Sequence, residues 1–189
     1  MIVNACETTV ASNVIVPYSK KEAMSLRCGQ KILFSGSLIT GRDAAHMRLL
    51  AMLQNGEELP IELAGQLIYY TGPCPAPQGK VIGSAGPTTS GRMDFATPAL
   101  LDAGLGGMLG KGKRDDKVRD AVVRNGAPYF ITYGGAGAFL ASKIKSVELL
   151  AFAELGAEAM YRFDVVDFPA IVAIDVLGHD IYSKSLEGN

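Results

Sequence analysis

Short apolar runs bounded by glycine, proline or charged residues recur along the chain and predict β-strands. Residues 31–35 (KILFS) and 107–110 (GMLG) are typical, because each run is too short for a buried helix and has turn residues on both sides. The predicted strands span residues 13–16, 31–35, 66–70, 80–84, 107–110, 129–133, 147–150, 160–166 and 170–175.

Helices are predicted between these strands, where the apolar spacing changes. Residues 44–53 place an apolar side chain at every third position, which is a helical spacing. Asp43 is the expected N-cap of this helix and Gly56 its stop. The other predicted helices span residues 94–103, 115–124 and the small-residue stretch 134–144.

This alternation of strands with helices predicts an α/β fold with a mixed, largely parallel sheet flanked by helices. The sequence contains no internal repeat, low-complexity tract or clear linker. We therefore expect one domain over residues 1–189, with residues 1–26 as an extended N-terminal arm.

The composition and net charge of the chain argue against two classes of binding partner. Hydrophobic residues make up 48% and charged residues 20%, and the formal net charge is −1. This balance gives no overall attraction to nucleic acid or to an anionic membrane, so neither is an expected partner. The N-terminus lacks the pattern of a signal peptide, and no apolar run approaches the roughly 18 residues of a membrane span. A cytoplasmic location is expected.

The three cysteines, Cys6, Cys28 and Cys74, stand far apart, and no pair has the spacing of a zinc or redox site. They are interpreted as reduced, buried small side chains. No metal site is predicted in this chain.

Residues 83–93 (GSAGPTTSGRM) carry the strongest chemical signal. Glycine lets backbone approach a ligand, successive N–H groups can form an anion-binding concavity, and Arg92 can bind a carboxylate on two atoms. Thr88, Thr89 and Ser90 add hydroxyl donors. The pattern alone leaves open an ordinary turn with a surface arginine.

Residues 106–114 (GGMLGKGKR) invite a P-loop interpretation, but Leu105 and Gly112 stand where that motif needs Gly and Ser or Thr. What remains is Lys111 between two glycines after a buried strand. Lys113 and Arg114 are expected to be solvated.

Residues 40–46 (TGRDAAH) place Arg42 at a helix start, where an anion is favoured, although a surface arginine is the open alternative. His46 is expected to be a structural or partner-facing histidine rather than a general base, and His179 a turn residue. No nucleophile–base pair or paired carboxylates can be identified, so the chain offers anion-binding groups without a complete catalytic set.

Five collinear stretches are specific in combination: 34–49 (FSGSLITGRDAAHMRL), 68–73 (IYYTGP), 83–94 (GSAGPTTSGRMD), 110–114 (GKGKR) and 145–180, which contains ELGAEAM and VVDFPA. With them the chain resembles the β subunit of two-subunit class I fumarate hydratases and L-tartrate dehydratases. It equally resembles the C-terminal domain of single-chain class I fumarases.

The resemblance implies a swivelling β/β/α domain in a hydro-lyase that is active only with an α subunit. It also implies a 4Fe–4S cluster held by three cysteines of that α subunit, in a hetero-oligomer of two α and two β chains. Arg42, Thr88, Arg92 and Lys111 match the family's contacts to a small dicarboxylate, with Thr88 as its candidate for proton transfer. Fumarate hydration to (S)-malate is the expected reaction, and tartrate dehydration to oxaloacetate the alternative. A non-catalytic dicarboxylate-binding module and a metal-free enzyme remain as rivals.

Overall fold

Seven strands form one mixed sheet in a computed structural model, which describes residues 11–183. The strands are β1 (Ser12–Val16), β2 (Lys31–Thr40), β3 (Leu67–Tyr69), β4 (Gly107–Gly110), β5 (Tyr129–Ile131), β6 (Ile144–Ala151) and β7 (Met160–Ile174). The helices are α1 (Lys20–Ser25), α2 (Asp43–Asn55), α3 (Thr97–Asp102), α4 (Asp116–Asn125) and α5 (Gly137–Ser142), with 3-10 helices at Ser90–Met93 and Ala153–Glu158.

The sheet closes on itself. Strands β1 to β5 pair in parallel in chain order, and β7 then pairs antiparallel with β5, β6 and β2. Because β7 bonds to both β2 and β5, the strands β2-β3-β4-β5-β7 form a barrel-like ring. The predicted α/β class with a mixed sheet is confirmed.

Alternating side chains on the strands build two cores, as the two-residue period of a strand requires. Leu67, Tyr69 and Leu109 belong to a cluster with side chains from all five ring strands. Ile68 and Met108 point the other way and pack with apolar side chains of α2, α3 and α4. Helices α2, α3 and α4 therefore cover one face of the ring, whereas α1 and α5 each place a side chain in the first cluster.

Residues 80–84 do not form the predicted strand. Their backbone pairs only locally: Cys74 N–H donates to the Ser84 carbonyl, and Gly83 N–H donates to the Cys74 carbonyl. Val81 is half exposed, so this apolar run is a loop. The segment that pairs with residues 80–84 contains three prolines between residues 73 and 77, which cannot donate to a strand ladder.

Several other elements have bounds that differ from the predicted ones. The run predicted as two strands is the single strand β7, which bends at Asp167, where φ is 52°. The helix predicted from residue 94 begins only at Thr97, after a 3-10 turn. Residues 12–25 of the expected arm form β1 and α1. Residues 1–10 and the tail after residue 183 lie outside the described part of the chain.

Two of the three cysteines fall within the described residues, and neither is fully buried. Cys28 is partly buried and Cys74 is exposed in the proline-rich loop, so the expectation of buried thiols was wrong for both. Cys6 lies outside the described residues. Across residues 11–183, no helix has the length and apolarity that crossing a membrane requires.

Candidate functional site

The loops that follow β2, β3 and β4 lie at one end of the ring. Strands β2, β3, β4 and β5 are parallel neighbours, so their carboxyl ends lie side by side, where open α/β sheets bind ligands. Arg42 follows β2, Gly72 follows β3 and Lys111 follows β4. Parallel pairing therefore brings three residues that are far apart in the sequence to the same end of the sheet.

Arg42 and Arg92 meet at one carboxylate. Arg92 Nε donates to Asp43 Oδ1 at 2.9 Å, and Arg92 Nη2 lies 2.8 Å from Asp43 Oδ2. On the other side, Arg42 Nε lies 3.8 Å from the same Oδ2. Two arginines 50 positions apart in sequence are therefore side by side, as an anion site built from separate loops requires.

Asp43 is not the N-cap that the sequence predicts. It is the first residue of α2, the N-cap is Arg42, and that residue makes no side-chain capping bond. Glu158, from the 3-10 helix before β7, accepts the Ala44 N–H at 3.0 Å and lies 3.5 Å from Arg42 Nη2. Capping is thus supplied from a distant segment, and the Asp43 carboxylate is turned to Arg92 instead.

The loop at 88–90 is tied to the residues after β3 and β4. Thr88 N–H donates to the Tyr70 carbonyl at 2.7 Å, and Ser90 N–H donates to the Lys111 carbonyl at 2.8 Å. Lys111 N–H in turn donates to Ser90 Oγ at 3.0 Å. Gly110 permits this approach, because a Cβ there would lie 2.1 Å from Ser90 Oγ. The 88–90 loop and Lys111 are therefore held together by two reciprocal hydrogen bonds.

The candidate site residues differ in how far they are exposed to solvent. The Arg92 side chain is 51% exposed and that of Arg42 is 24% exposed. Thr88 and Lys111 are both half-buried. Arg42, Lys111 and Thr88 are thus partly shielded from solvent, whereas Arg92 is more exposed.

Arg114 is buried, and its predicted solvation was wrong. Its Nε donates to Asp94 Oδ1 at 2.6 Å and its Nη2 to Thr97 Oγ1 at 2.8 Å. The guanidinium lies 5.4 Å from the ring centroid of Tyr70 and 4.9 Å from that of Tyr129. A basic run in the sequence gave no sign of this burial, because the partners come from other segments.

Arg114 also supports the site from beneath. The Tyr129 hydroxyl lies 2.9 Å from Ser90 Oγ and 2.8 Å from the Gly112 carbonyl oxygen. The tyrosine that stacks on Arg114 therefore holds Gly112, which follows Lys111, and Ser90, which accepts the Lys111 N–H. Burial raises the pKa of Tyr129 far above its ordinary value, so this hydroxyl stays protonated.

His46 is fully buried, in agreement with a structural role rather than one at a partner's surface. Its Nδ1 lies 2.8 Å from the Arg42 carbonyl oxygen, which requires a proton on Nδ1. Its Nε2 is buried with no hydrogen-bond partner among residues 11–183, and its ring meets Tyr70 edge to face. Burial lowers the pKa of His46 to about 4.

His179 lies in the turn after β7, as predicted, and its Nδ1 is 3.0 Å from Asp175 Oδ2. It belongs to a local turn network, since the His179 N–H and the Leu177 N–H both donate to the same aspartate.

Asp43, Glu158 and Asp94 are the site residues that sequence reasoning missed. Asp43 was assigned to capping on the basis of local rules, and the other two were given no role. Within residues 11–183, no group of three or more His, Cys, Asp or Glu side chains could hold a metal ion.

Comparison with known proteins places the chain in a family. A family model described as Fumarase C-terminus matches residues 4–185. The chain belongs to the fumarase C-terminus family.

The relatives are of two sizes. Fumarate hydratase 2 of Leishmania major is 43% identical over 160 residues, covering 84% of this chain and 28% of the relative. The aerobic class I fumarate hydratase of Escherichia coli (strain K12) is 41% identical over 156 residues, covering 82% of this chain and 28% of that protein. This member of the fumarase C-terminus family therefore spans little more than a quarter of either enzyme.

The other kind of relative is short. A Methanocaldococcus jannaschii protein described as an L(+)-tartrate dehydratase subunit beta is 33% identical over 172 residues. The match covers 88% of this chain and 88% of that protein. The family thus includes the same unit both as part of a long chain and as a separate chain.

Proposed function

We propose that this chain is the β subunit of a 4Fe–4S-dependent hydro-lyase that hydrates fumarate reversibly to (S)-malate at an interface with an α subunit. The observation that carries the proposal is the convergence of Arg42 and Arg92 beside the loop unit that contains Lys111. Family membership supports the reaction, because the long relatives are named fumarate hydratases.

A dicarboxylate needs two anion subsites. Arg92 and Lys111 are joined through the 88–92 loop, and Arg42 and Arg92 both lie beside Asp43 Oδ2. We assign these three cations to the two carboxylates of the substrate, where arginine binds on two atoms and lysine acts as a point charge.

The same cations would act in the proton-transfer step. Removing the proton next to a carboxylate of malate moves negative charge onto that carboxylate. Preorganised cations stabilise such developing charge more than they stabilise the ground state. The reciprocal pairing between Lys111 and the 88–90 loop fits this requirement, because little reorganisation is needed.

Thr88 is our candidate for the proton transfer at that carbon. Its backbone is fixed by the hydrogen bond to Tyr70, so its hydroxyl has a defined place in the loop. A threonine hydroxyl is a weak base unless a neighbour lowers its pKa. Among the described residues no carboxylate is hydrogen-bonded to this hydroxyl, so we assign the activating group to the α subunit.

The cluster is likewise assigned to the α subunit. The described residues offer no ligand set for it. When bound, the cluster would supply a Lewis acid for the substrate hydroxyl. This chain would bind and orient the dicarboxylate, in a hetero-oligomer of two α and two β chains, as a swivelling β/β/α domain.

Tartrate dehydration to oxaloacetate is the second candidate. The observation in its favour is length, since the tartrate dehydratase subunit matches this chain over 88% of both proteins. The same three cations suit either dicarboxylate, so the reactions differ in contacts to one additional hydroxyl. A non-catalytic dicarboxylate-binding module would bind either acid without a partner.

The test is co-expression of the chain with a candidate α subunit under anaerobic conditions, followed by assays of fumarate hydration and tartrate dehydration. We expect turnover by the complex and none by the isolated chain. In the active complex, Arg92→Ala should lower kcat/KM by more than about tenfold, because a charge-assisted contact contributes roughly 1.5–3 kcal/mol.

Arg124→Ala is the matched control. Arg124 is 53% exposed and, like Arg92, contacts both oxygens of an aspartate, which here is Asp102. It lies at the end of α4, toward the opposite end of the sheet. It should leave kcat/KM within about twofold. Turnover by the isolated chain without iron would exclude the subunit proposal, and wild-type kinetics of Arg92→Ala would remove that residue from the site.

Gly72→Ala tests the place of Arg42 without changing any charge. A Cβ on Gly72 would lie 2.8 Å from Arg42 Nη1 and 2.9 Å from its Cδ, so the arginine must move. We expect kcat/KM to fall about tenfold, since a displacement near 1 Å can cost up to about a hundredfold. Gly134→Ala is the control, because its Cβ would make an ordinary contact of 3.5 Å with Lys111 Cδ. A kcat/KM of Gly72→Ala within about twofold of wild type would contradict the assignment of Arg42.

A further inference from the structure

Helix capping does not explain the position of the Asp43 carboxylate, although a negative charge is favourable in the first turn of a helix. Asp43 begins α2 without accepting a capping bond, and Glu158 accepts the Ala44 N–H in its place. Its Oδ1 instead accepts a hydrogen bond from Arg92 Nε, 49 positions away, and its Oδ2 lies 2.8 Å from Arg92 Nη2 as an ion pair without hydrogen-bond geometry. This long-range contact must therefore be explained by what it does to Arg92.

The contact occupies one defined edge of the guanidinium. Arginine presents two edges that can bind a carboxylate on two atoms, one made of Nε and Nη2 and the other of Nη1 and Nη2. Asp43 takes the first edge of Arg92. Within residues 11–183 no hydrogen bond is made by Arg92 Nη1, so the second edge is left for a ligand. Arg92 is thereby fixed in rotation, although its side chain is half exposed.

The charges around Asp43 show that it is not placed there to strengthen anion binding. Asp43 and Glu158 lie beside Arg42 and Arg92, so two negative charges face two positive charges. A dianionic ligand would be attracted more strongly if Asp43 were neutral. The carboxylate therefore weakens the attraction and can only be offset by a gain in orientation.

We infer that Asp43 is a positioning residue, which holds the Nε–Nη2 edge of Arg92 so that the Nη1–Nη2 edge faces the substrate carboxylate. This inference rests on the proposed function, since it takes Arg92 as a substrate contact. It makes a distinctive kinetic prediction, because the loss of orientation lowers kcat while the loss of a negative charge favours binding.

The experiment uses Asp43→Asn, Arg92→Ala and the double variant in the α–β complex. Asp43→Asn should lower kcat at least about tenfold, while KM rises no more than about twofold. In the Arg92→Ala background, the same substitution should have almost no further effect, because two residues that act through one contact are not additive. An equal fall in both backgrounds, or a kcat within about twofold of wild type, overturns the inference.

Asp102→Asn is the matched control, since Asp102 binds Arg124 through both oxygens near the opposite edge of the sheet. It should leave kcat and KM within about twofold. If it lowers kcat as much as Asp43→Asn does, the effect belongs to fold stability and the inference fails.

A second measurement does not depend on turnover. In the full chain labelled with ¹⁵N-arginine, the Nη signals of Arg92 should be separate in the wild type, because Asp43 restricts rotation about the Nε–Cζ bond. They should merge in Asp43→Asn. Inactivity of the wild-type complex on both substrates would overturn the proposed function alone, and the Arg92 signals would still decide the role of Asp43. Unchanged signals in Asp43→Asn would overturn that role.

Discussion

Replacing Arg114 by methionine is expected to lower the free energy of unfolding by about 3–5 kcal/mol, because it leaves the Asp94 carboxylate unpaired in a largely buried position. The Arg114 side chain is fully buried and that of Asp94 is only 12% exposed. Methionine keeps the length and volume of the stem but removes the ion pair and the contacts with two tyrosine rings. Urea unfolding of the two proteins at neutral pH measures the difference.

The double variant Arg114→Met with Asp94→Asn separates the causes. If the loss comes mainly from the stranded carboxylate, neutralising Asp94 should restore more than half of it, since a buried pair replaced as a whole is often nearly neutral. A loss below about 1 kcal/mol in the single variant would show that water or another cation compensates Asp94.

Acidification should destabilise the protein through His46. Its pKa is about 4 in the folded chain, because burial disfavours the cation, and about 6.5 when exposed on unfolding. Above pH 6.5 the ring is neutral in both states and contributes no pH dependence. As the pH falls from about 6.5 to about 4, the unfolded chain gains a proton that the folded chain resists. Stability is therefore lost across this window, by about 3 kcal/mol in all.

His46→Asn is the variant that isolates this contribution, since its amide can still donate to the Arg42 carbonyl, as Nδ1 does in the wild type. The free energy of unfolding is measured for both proteins from pH 7.5 to pH 4. The wild type should lose about 3 kcal/mol more than the variant over that range. Parallel curves would mean that the folded protein protonates His46 without cost.

Where local signals coincided with tertiary structure, the sequence predicted the fold well. The strand at Gly107–Gly110 was predicted at its observed bounds. A strand buried on both faces is a continuous apolar run, which can be identified without knowing the strands beside it. The helix predicted over residues 115–124 is observed at Asp116–Asn125, one residue later, with Asp115 as its N-cap. Residues 80–84 failed because an apolar run between turn residues fits a strand and a folded loop equally well.

For the candidate site, the sequence indicates three cations and Thr88 but not the carboxylates that lie beside the cations. Arg42, Arg92 and Lys111 are marked by glycines and hydroxyl residues close to them in sequence. Their supporting carboxylates carry no such mark, because the partners are up to 116 positions apart, as Arg42 and Glu158 are. In Asp43 a short-range capping preference and a long-range ion pair competed, and the ion pair prevailed.

Closure of the ring by β7 ties the proposed ligand site to the last strand among the described residues. Ribosomal synthesis makes residues 160–174 after every strand with which they pair, and Glu158, which supports Arg42, immediately precedes them. A nascent chain that stops at residue 155 would carry all four proposed ligand-contacting side chains on an open sheet with an unpaired β2 edge. Such a fragment would be a hazard for aggregation rather than a weaker binder, because an unpaired strand edge recruits other chains.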